Sequence, residues 1–373
     1  MSKNILNAPF RADIVGSFLR PEDIKVARVK FAKGDITSEE LKQVEDKCIA
    51  ELIEKQKKAG LQVITDGEFR RSYWHLDFMW GINGAKHIEL DNGYFFHHEE
   101  TTRGSVALTG KINGNNHPFV EHFKYVKQFE TESVVARQTI PAPAQFYAEL
   151  FRGDNGKKTT AIYPDNEELI WDIAQTYRTM IRDLYDAGCR NIQFDDCTWG
   201  MVCDKNFWKS MAGSSYNVEQ LQETYLRLNN LALEECHEGL VISTHVCRGN
   251  YHSSWASEGA YDAVENFLFA RENVDAFYLE YDDERSGGFE PLAYVAPGKK
   301  VVLGLITTKS PILEDKQTII ARIHEAARYI PLERLYLSPQ CGFASCEVGN
   351  KLTEEEQWAK IKLVKDIVKE VWE

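Results

Sequence analysis

The sequence predicts a (β/α)8 barrel, a TIM barrel, as one domain over residues 1–373, and three observations predict it. Eight apolar runs rich in β-branched and aromatic residues recur at 13–18, 61–66, 133–140, 191–196, 240–247, 276–281, 300–306 and 335–338. Amphipathic helical patterns lie between them at 38–59, 165–187, 218–237, 261–271, 315–329 and 353–371. Three of these patterns close on Ala59-Gly60, Ala187-Gly188 and Glu238-Gly239, and a strand run follows directly, the order of repeated βα units. A doubly wound sheet is the competing architecture, but no glycine-rich loop follows the first run to hold a dinucleotide.

Taken in order, 13–18 opens the barrel, and 38–59 is the helix that delivers the chain through Gly60 to the second strand, 61–66. From about 81 to 129 the repeat breaks. Asn83-Gly84, Asp91-Asn92-Gly93 and Asn113-Gly114 punctuate alternating apolar and polar residues there, which predicts an inserted pair of β-hairpins after strand 2. The βα order then resumes at 133–140 and runs to the last helix, where Thr353 followed by Glu356 forms a capping box. No repeat of 20–50 residues and no low-complexity tract competes with this reading.

Composition narrows the function classes. With 44 Lys+Arg against 57 Asp+Glu the net charge is −13, which argues against nucleic acid as a partner. At 43% hydrophobic and 27% charged residues the chain is globular rather than disordered. No apolar run reaches the length of a membrane span and residues 1–10 lack the apolar centre of a secretory signal, so no membrane partner and a cytoplasmic location are expected. Eight cysteines without framework spacing, in a reducing compartment, mean metal, catalysis or plain burial. Cys48 and Cys236, within helical patterns, read as plain burial.

A barrel of this kind carries its site at the C-terminal ends of the strands, and here those ends are polar. His245 and Cys247 are two apart on one strand and therefore share a face. On strand 6, Phe277, Leu279 and Tyr281 alternate with Glu280, which faces away from that apolar set; Asp282, Asp283 and Glu284 follow and compete with it for the same task. Cys341 follows Pro339-Gln340 at the mouth of strand 8, where a short loop before Gly342 turns its sulfur inward. Two thiolates, an imidazole and a carboxylate make a tetrahedral Zn2+ set. A His-x-Cys pair alone is a weak signal; four candidates at three strand ends are a stronger one. His252 reads as a loop residue and Cys346 as helix packing.

These residues fall in segments that resemble the catalytic C-terminal barrel of cobalamin-independent methionine synthase. The resemblance spans most of the chain: Ile14-Val15-Gly16-Ser17-Phe18, Gly67-Glu68, Ile192-Gln193-Phe194-Asp195, Thr244-His245-Val246-Cys247 and Pro339-Gln340-Cys341-Gly342 each match a segment of that family. It implies a zinc-dependent methyltransferase that methylates the thiol of homocysteine to form methionine, with His245, Cys247, Glu280 and Cys341 as both the metal ligands and the catalytic set. It further implies that Glu68 and Asp195 hold the amino acid's ammonium group and that Ser17 lies near its carboxylate. The bland alternatives are an ion pair of Glu68 with Arg70 or Arg71, and Asp195 capping the segment after it.

The departures concern the methyl donor. The family's longer members carry a second, N-terminal barrel for folate, for which 373 residues leave no room; the family's Trp-containing segment after strand 3 is here Gln138 to Ala144 without Trp; and its His-Ser-Pro near strand 7 is Lys309-Ser310-Pro311. These speak against methyltetrahydrofolate and leave a corrinoid protein, a sulfonium compound or another small methylated compound as donor. Among the aromatics Tyr73, Trp74, Phe78, Trp80, Trp199, Trp208 and Trp255, most are expected under loops, and Trp199 is the preferred stacking residue for a planar or cationic donor. The competing functions are alkyl transfer or cleavage on another small thiol, and a barrel with a structural zinc and no catalysis.

Overall fold

The computed structural model describes residues 6–206, 217–235 and 237–373, so Cys236 and Trp208 lie outside the described residues. Its centre is a parallel sheet of six strands in sequence order: β5 (Gln138–Pro141), β6 (Asn191–Asp196), β7 (Val241–Val246), β8 (Ala276–Glu280), β9 (Lys300–Ile306) and β10 (Leu335–Pro339). A shorter parallel pair, β1 (Val63–Ile64) with β4 (Val135–Ala136), precedes it. β4 and β5 are one run, the predicted third strand, and only Arg137 stands between them.

The predicted first strand forms no ladder of its own. Residues 11–18 make one parallel bridge, Ala12 with Leu337 of β10, and close the ring on the other side through Phe18 N–H to Gly67 O (3.1 Å) and the Thr65 hydroxyl to Gly16 O (2.6 Å). The reason is local. The Asp13 carboxylate accepts the N–H groups of Phe10 (2.8 Å) and Ile14 (2.7 Å), and side-chain bonds of this kind compete with a ladder.

The interior of the ring is filled by a polar network. Arg137 donates to both carboxylate oxygens of Asp13 (2.9 and 3.1 Å), to Gln193 (3.3 Å) and to the Tyr278 hydroxyl (2.7 Å), so residues from four strand positions meet on one guanidinium. Outside the strands lie the helices Ser38–Lys58, Asn166–Asp186, Val218–Ala232, Lys316–Ala326 and Glu354–Trp372, close to the predicted bounds and burying one face each. The predicted 261–271 helix is instead a 3-10 turn, Tyr261–Ala263, and one helical turn, Leu268–Arg271.

The insertion holds one hairpin, not two. β2 (Asn83–Glu89) pairs antiparallel with β3 (Gly104–Asn113), and its tip carries a single bridge between Phe95 and Glu100. The stretch predicted as the second hairpin is the helix Pro118–Lys127, started by Pro118 and by His117, whose side chain accepts the Phe119 N–H.

Candidate active site and metal cluster

Strand register brings the predicted metal residues together. His245 lies opposite Asp195 on β6 and Tyr278 on β8, and Glu280 ends β8 opposite Gly304. Cys341 follows β10 in a loop pinned by Gln340 N–H to Ile306 O (2.8 Å) and by the Asn250 amide to Gly342 O (2.7 Å). Gly342 is required there, since a Cβ at that position would sit 1.9 Å from the Ser17 oxygen. The ligand atoms of His245, Cys247, Glu280 and Cys341 lie within 4.8 Å of one another, all four residues are buried, and the group can hold a metal ion.

The chemistry of the donors fits an ion. Neither ring nitrogen of His245 is taken by a hydrogen bond. Cys247 and Cys341 approach to 3.8 Å between sulfurs, and their mutual contact and burial push the Cys341 thiol well above its usual range. Two such thiols ionise only beside a cation. Glu280 is held by the Arg248 N–H (2.9 Å) on one oxygen and by Arg285 (3.0 Å) on the other. The rival Asp282 is occupied by Arg285 (3.0 Å) and Lys309 (2.5 Å), and the cluster forms without it. Cys197, at the end of β6, packs against the two sulfurs and had no signal in the sequence.

A cavity of about 380 Å³ opens over this cluster, and Ser17, Glu68 and Asp195 line it together with His245, Cys247 and Cys341. Glu68 stands in a tight turn: Gly67 at φ 66° and Glu68 itself at φ 61°, with its N–H bonded to Asp66 (2.8 Å). A positive φ is costly for a residue with a Cβ and marks a side chain that the fold must aim. One Glu68 oxygen accepts from Arg71 (3.1 Å) and Thr139 (2.9 Å), so the ion pair with Arg71 is real, while the other oxygen is buried with no partner. Arg70 turns away to Glu45 (3.0 Å). Asp195 accepts from Gln193 (3.0 Å), and the capping role falls to Asp196, which receives the Thr198 N–H (2.8 Å). Burial, and for Asp195 next the charge of Glu68, raises both carboxyls above the usual range. Arg71 pairs with one Glu68 oxygen only, and the nearby cations do not offset burial at the two carboxyls.

Trp199 is the site residue that the structure moves elsewhere. It is 0% exposed, donates its indole N–H to Glu272 (2.9 Å) and packs edge-on to Tyr225, because the helix Thr198–Cys203 turns it down behind β6 rather than into the cavity. The cavity's aromatic wall comes instead from Tyr73, Trp74 and the hairpin tip, Tyr94, Phe95 and Phe96.

A parallel α/β barrel with an imidazole, two thiols and a carboxylate converging at its strand ends defines the class: the catalytic domain of a cobalamin-independent synthase, whose family model matches residues 10–369. The chain belongs to the cobalamin-independent methionine synthase family, a family of methyltransferases. The uncharacterized protein YxjH of Bacillus subtilis is 43% identical to it over 366 residues, covering 98% of this chain and 95% of the relative. A solved structure from Listeria monocytogenes, assigned to the vitamin-B12-independent methionine synthases, matches with a TM-score of 0.77 at 39% identity, covering 98% of this chain and 99% of that one. A methionine synthase of Pyrococcus abyssi is 24% identical over 336 residues, covering 88% of this chain and 85% of the relative. A family defined by independence from cobalamin lends no support to a corrinoid protein as donor. Among the described residues, no helix is long and apolar enough to cross a membrane.

Proposed function

We propose that the chain transfers a methyl group to the thiol of homocysteine, giving methionine, in the cytoplasm, with zinc held by His245, Cys247, Glu280 and Cys341. The observation that carries this reading is the convergence of those four ligand atoms within 4.8 Å, with His245, Cys247 and Cys341 lining a cavity that Glu68 and Asp195 also line. The donor set is that of zinc, and two sulfurs bonded to one tetrahedral zinc at about 2.3 Å stand about 3.8 Å apart. The separation of Cys247 and Cys341 is 3.8 Å. Zinc bound there supplies the Lewis acidity that keeps a substrate thiol in its nucleophilic, ionised form at neutral pH.

The chain's own residues do the rest. Glu68 and Asp195 receive the ammonium group of the amino acid, and the unpartnered oxygen of Glu68 is the acceptor waiting for it. An ammonium between the two carboxyls restores their charge against burial. Ser17, beside Gly342, stands ready for the carboxylate. The hairpin tip adds Tyr94, Phe95 and Phe96 to the wall of the same cavity.

Zinc content per chain, measured with calorimetric titration of homocysteine, methionine and cysteine, tests this. The expected result is one zinc per chain and homocysteine binding with proton release. Zinc without thiol binding leaves a structural metal, and absence of zinc from protein prepared with it overturns the reading.

A further inference from the structure

The proposed reaction sets a choice among sulfurs. Cys247 and Cys341 both line the cavity in which the substrate thiol is to be methylated, so access alone does not protect them. A thiol that ligates zinc has given up its proton, and the chain's two thiolates are then nucleophiles beside the substrate's own. A donor hydrogen-bonded to a thiolate stabilises the very charge that an alkylating carbon must take, and it slows the attack.

Each ligand sulfur has such a donor. The Gly249 N–H meets the Cys247 sulfur at 3.3 Å, in a turn that requires glycine: φ is 87°, and a Cβ there would stand 2.6 Å from that of Ala256. The Ser345 hydroxyl meets the Cys341 sulfur at 3.8 Å, within reach of a hydrogen bond to sulfur. Its direction is set by its neighbours. The Asn250 amide donates to the Ser345 oxygen (3.2 Å), which leaves the hydroxyl hydrogen for the sulfur, and a deprotonated sulfur can only accept. Asn250 is 4% exposed and anchored on two sides: it donates to Gly342 O (2.7 Å), next to Cys341, and accepts from the Asn350 amide (2.9 Å). The Ser345 backbone is held in turn by the Trp74 N–H on its carbonyl (2.9 Å). These bonds lie outside the strand ladders and helices, and they converge on the loop that carries Cys341.

We infer that Ser345 is a specificity-determining residue: its hydroxyl, aimed by Asn250, damps the Cys341 thiolate as the Gly249 N–H damps that of Cys247, and the substrate sulfur is left as the one that is methylated. The inference rests on the methyl-transfer reading with zinc in place. Ser345 moves no proton. In its absence the bond from the methyl carbon to its leaving group breaks, that group keeps the electron pair, and the new C–S bond forms on Cys341, which ends as a thioether and a poor zinc ligand.

The test exposes zinc-loaded wild type, Ser345→Ala and Ser345→Thr to iodomethane without homocysteine, and follows by mass spectrometry the methyl gained on the peptides that hold Cys247 and Cys341. Zinc release is read beside it, and homocysteine affinity is measured separately by calorimetry. The expected result is that Cys341 is methylated roughly three- to tenfold faster in Ser345→Ala, with matching zinc loss and an unchanged rate at Cys247, while Ser345→Thr, which keeps the hydroxyl, stays within about twofold of wild type. Equal Cys341 rates in wild type and Ser345→Ala overturn the inference, as do a threonine variant as fast as the alanine one, a parallel rise at Cys247, which is the mark of a loosened site, and a wild type that takes up no zinc. A Ser345-dependent Cys341 rate in zinc-loaded protein that binds no homocysteine supports this inference and overturns the thiol reading alone.

Discussion

The two ends of the cavity are built by different means. At the metal end the side chains sit at or just past the ends of strands whose register is fixed: Asp195 against His245, His245 against Tyr278, Glu280 against Gly304. At the hairpin end they come from a tip with one bridge, held down by Glu99 to His252 (2.7 Å) and Lys351 (3.0 Å) and by His97 N–H to Trp255 O (2.9 Å). Partly exposed ion pairs of this kind stabilise weakly. A thiol of one fixed shape suits the first construction, and a second substrate that must enter and leave suits the other.

Breaking the metal end gives the largest effect. Cys341→Ser is expected to strip zinc from the chain and abolish homocysteine binding; a variant with full zinc by elemental analysis and undiminished affinity by calorimetry dissociates the cluster from the thiol site. Arg285→Gln probes the join between the ends, because Arg285 bonds Glu280 (3.0 Å) and lies 5.4 Å from the Trp255 ring, which stacks on His97 of the hairpin at 4.4 Å. Outer partners of metal ligands are worth about 10–100-fold in metal affinity, and chelator competition should show a loss of that size with the fold intact.

Glu149→Gln touches only the hairpin end. Burial raises the Glu149 carboxyl from 4.5 to about 8, with Arg152 opposing only in part. Between those values the unfolded chain releases a proton that the folded chain keeps, so this group makes stability fall as pH rises. In the variant that slope should shrink by about 1 kcal/mol per pH unit, measured by denaturant titration from pH 5 to 8. It should not vanish, because Glu272, also raised to about 8 by burial, remains. Unchanged slopes would move the titration to other groups.

The same difference in construction decides what could be read in the sequence. Strand parity places His245 and Cys247 on one face and sets Glu280 apart from Phe277 and Leu279, because a period of two survives folding unaltered. The first run has the strand pattern at Ile14 and Val15 but forms no ladder, because the Asp13 carboxylate takes the local N–H groups. Trp199 was misplaced because its position after Asp195 is visible in sequence, whereas the turn of the Thr198–Cys203 helix that buries it is not. The second hairpin was a helix because Pro118 and the His117 cap outweigh the turn residues before them. Arg71 was legible only as a partner for Glu68, and the parts of Thr139 and Gln193 had no signal. Each acts through partners far along the chain, as in the bond from Arg71 to Thr139 O (2.7 Å), and sequence spacing does not reveal such meetings.

The Asp13–Arg137 pair across the middle of the ring also has a kinetic meaning. The buried pair plugs the middle of the ring, and on the proposed reaction homocysteine and its methyl donor share the cavity that the hairpin tip helps to line. A shared chamber requires both substrates to be present at once, so on the proposed reaction steady-state kinetics should show a sequential rather than a ping-pong pattern.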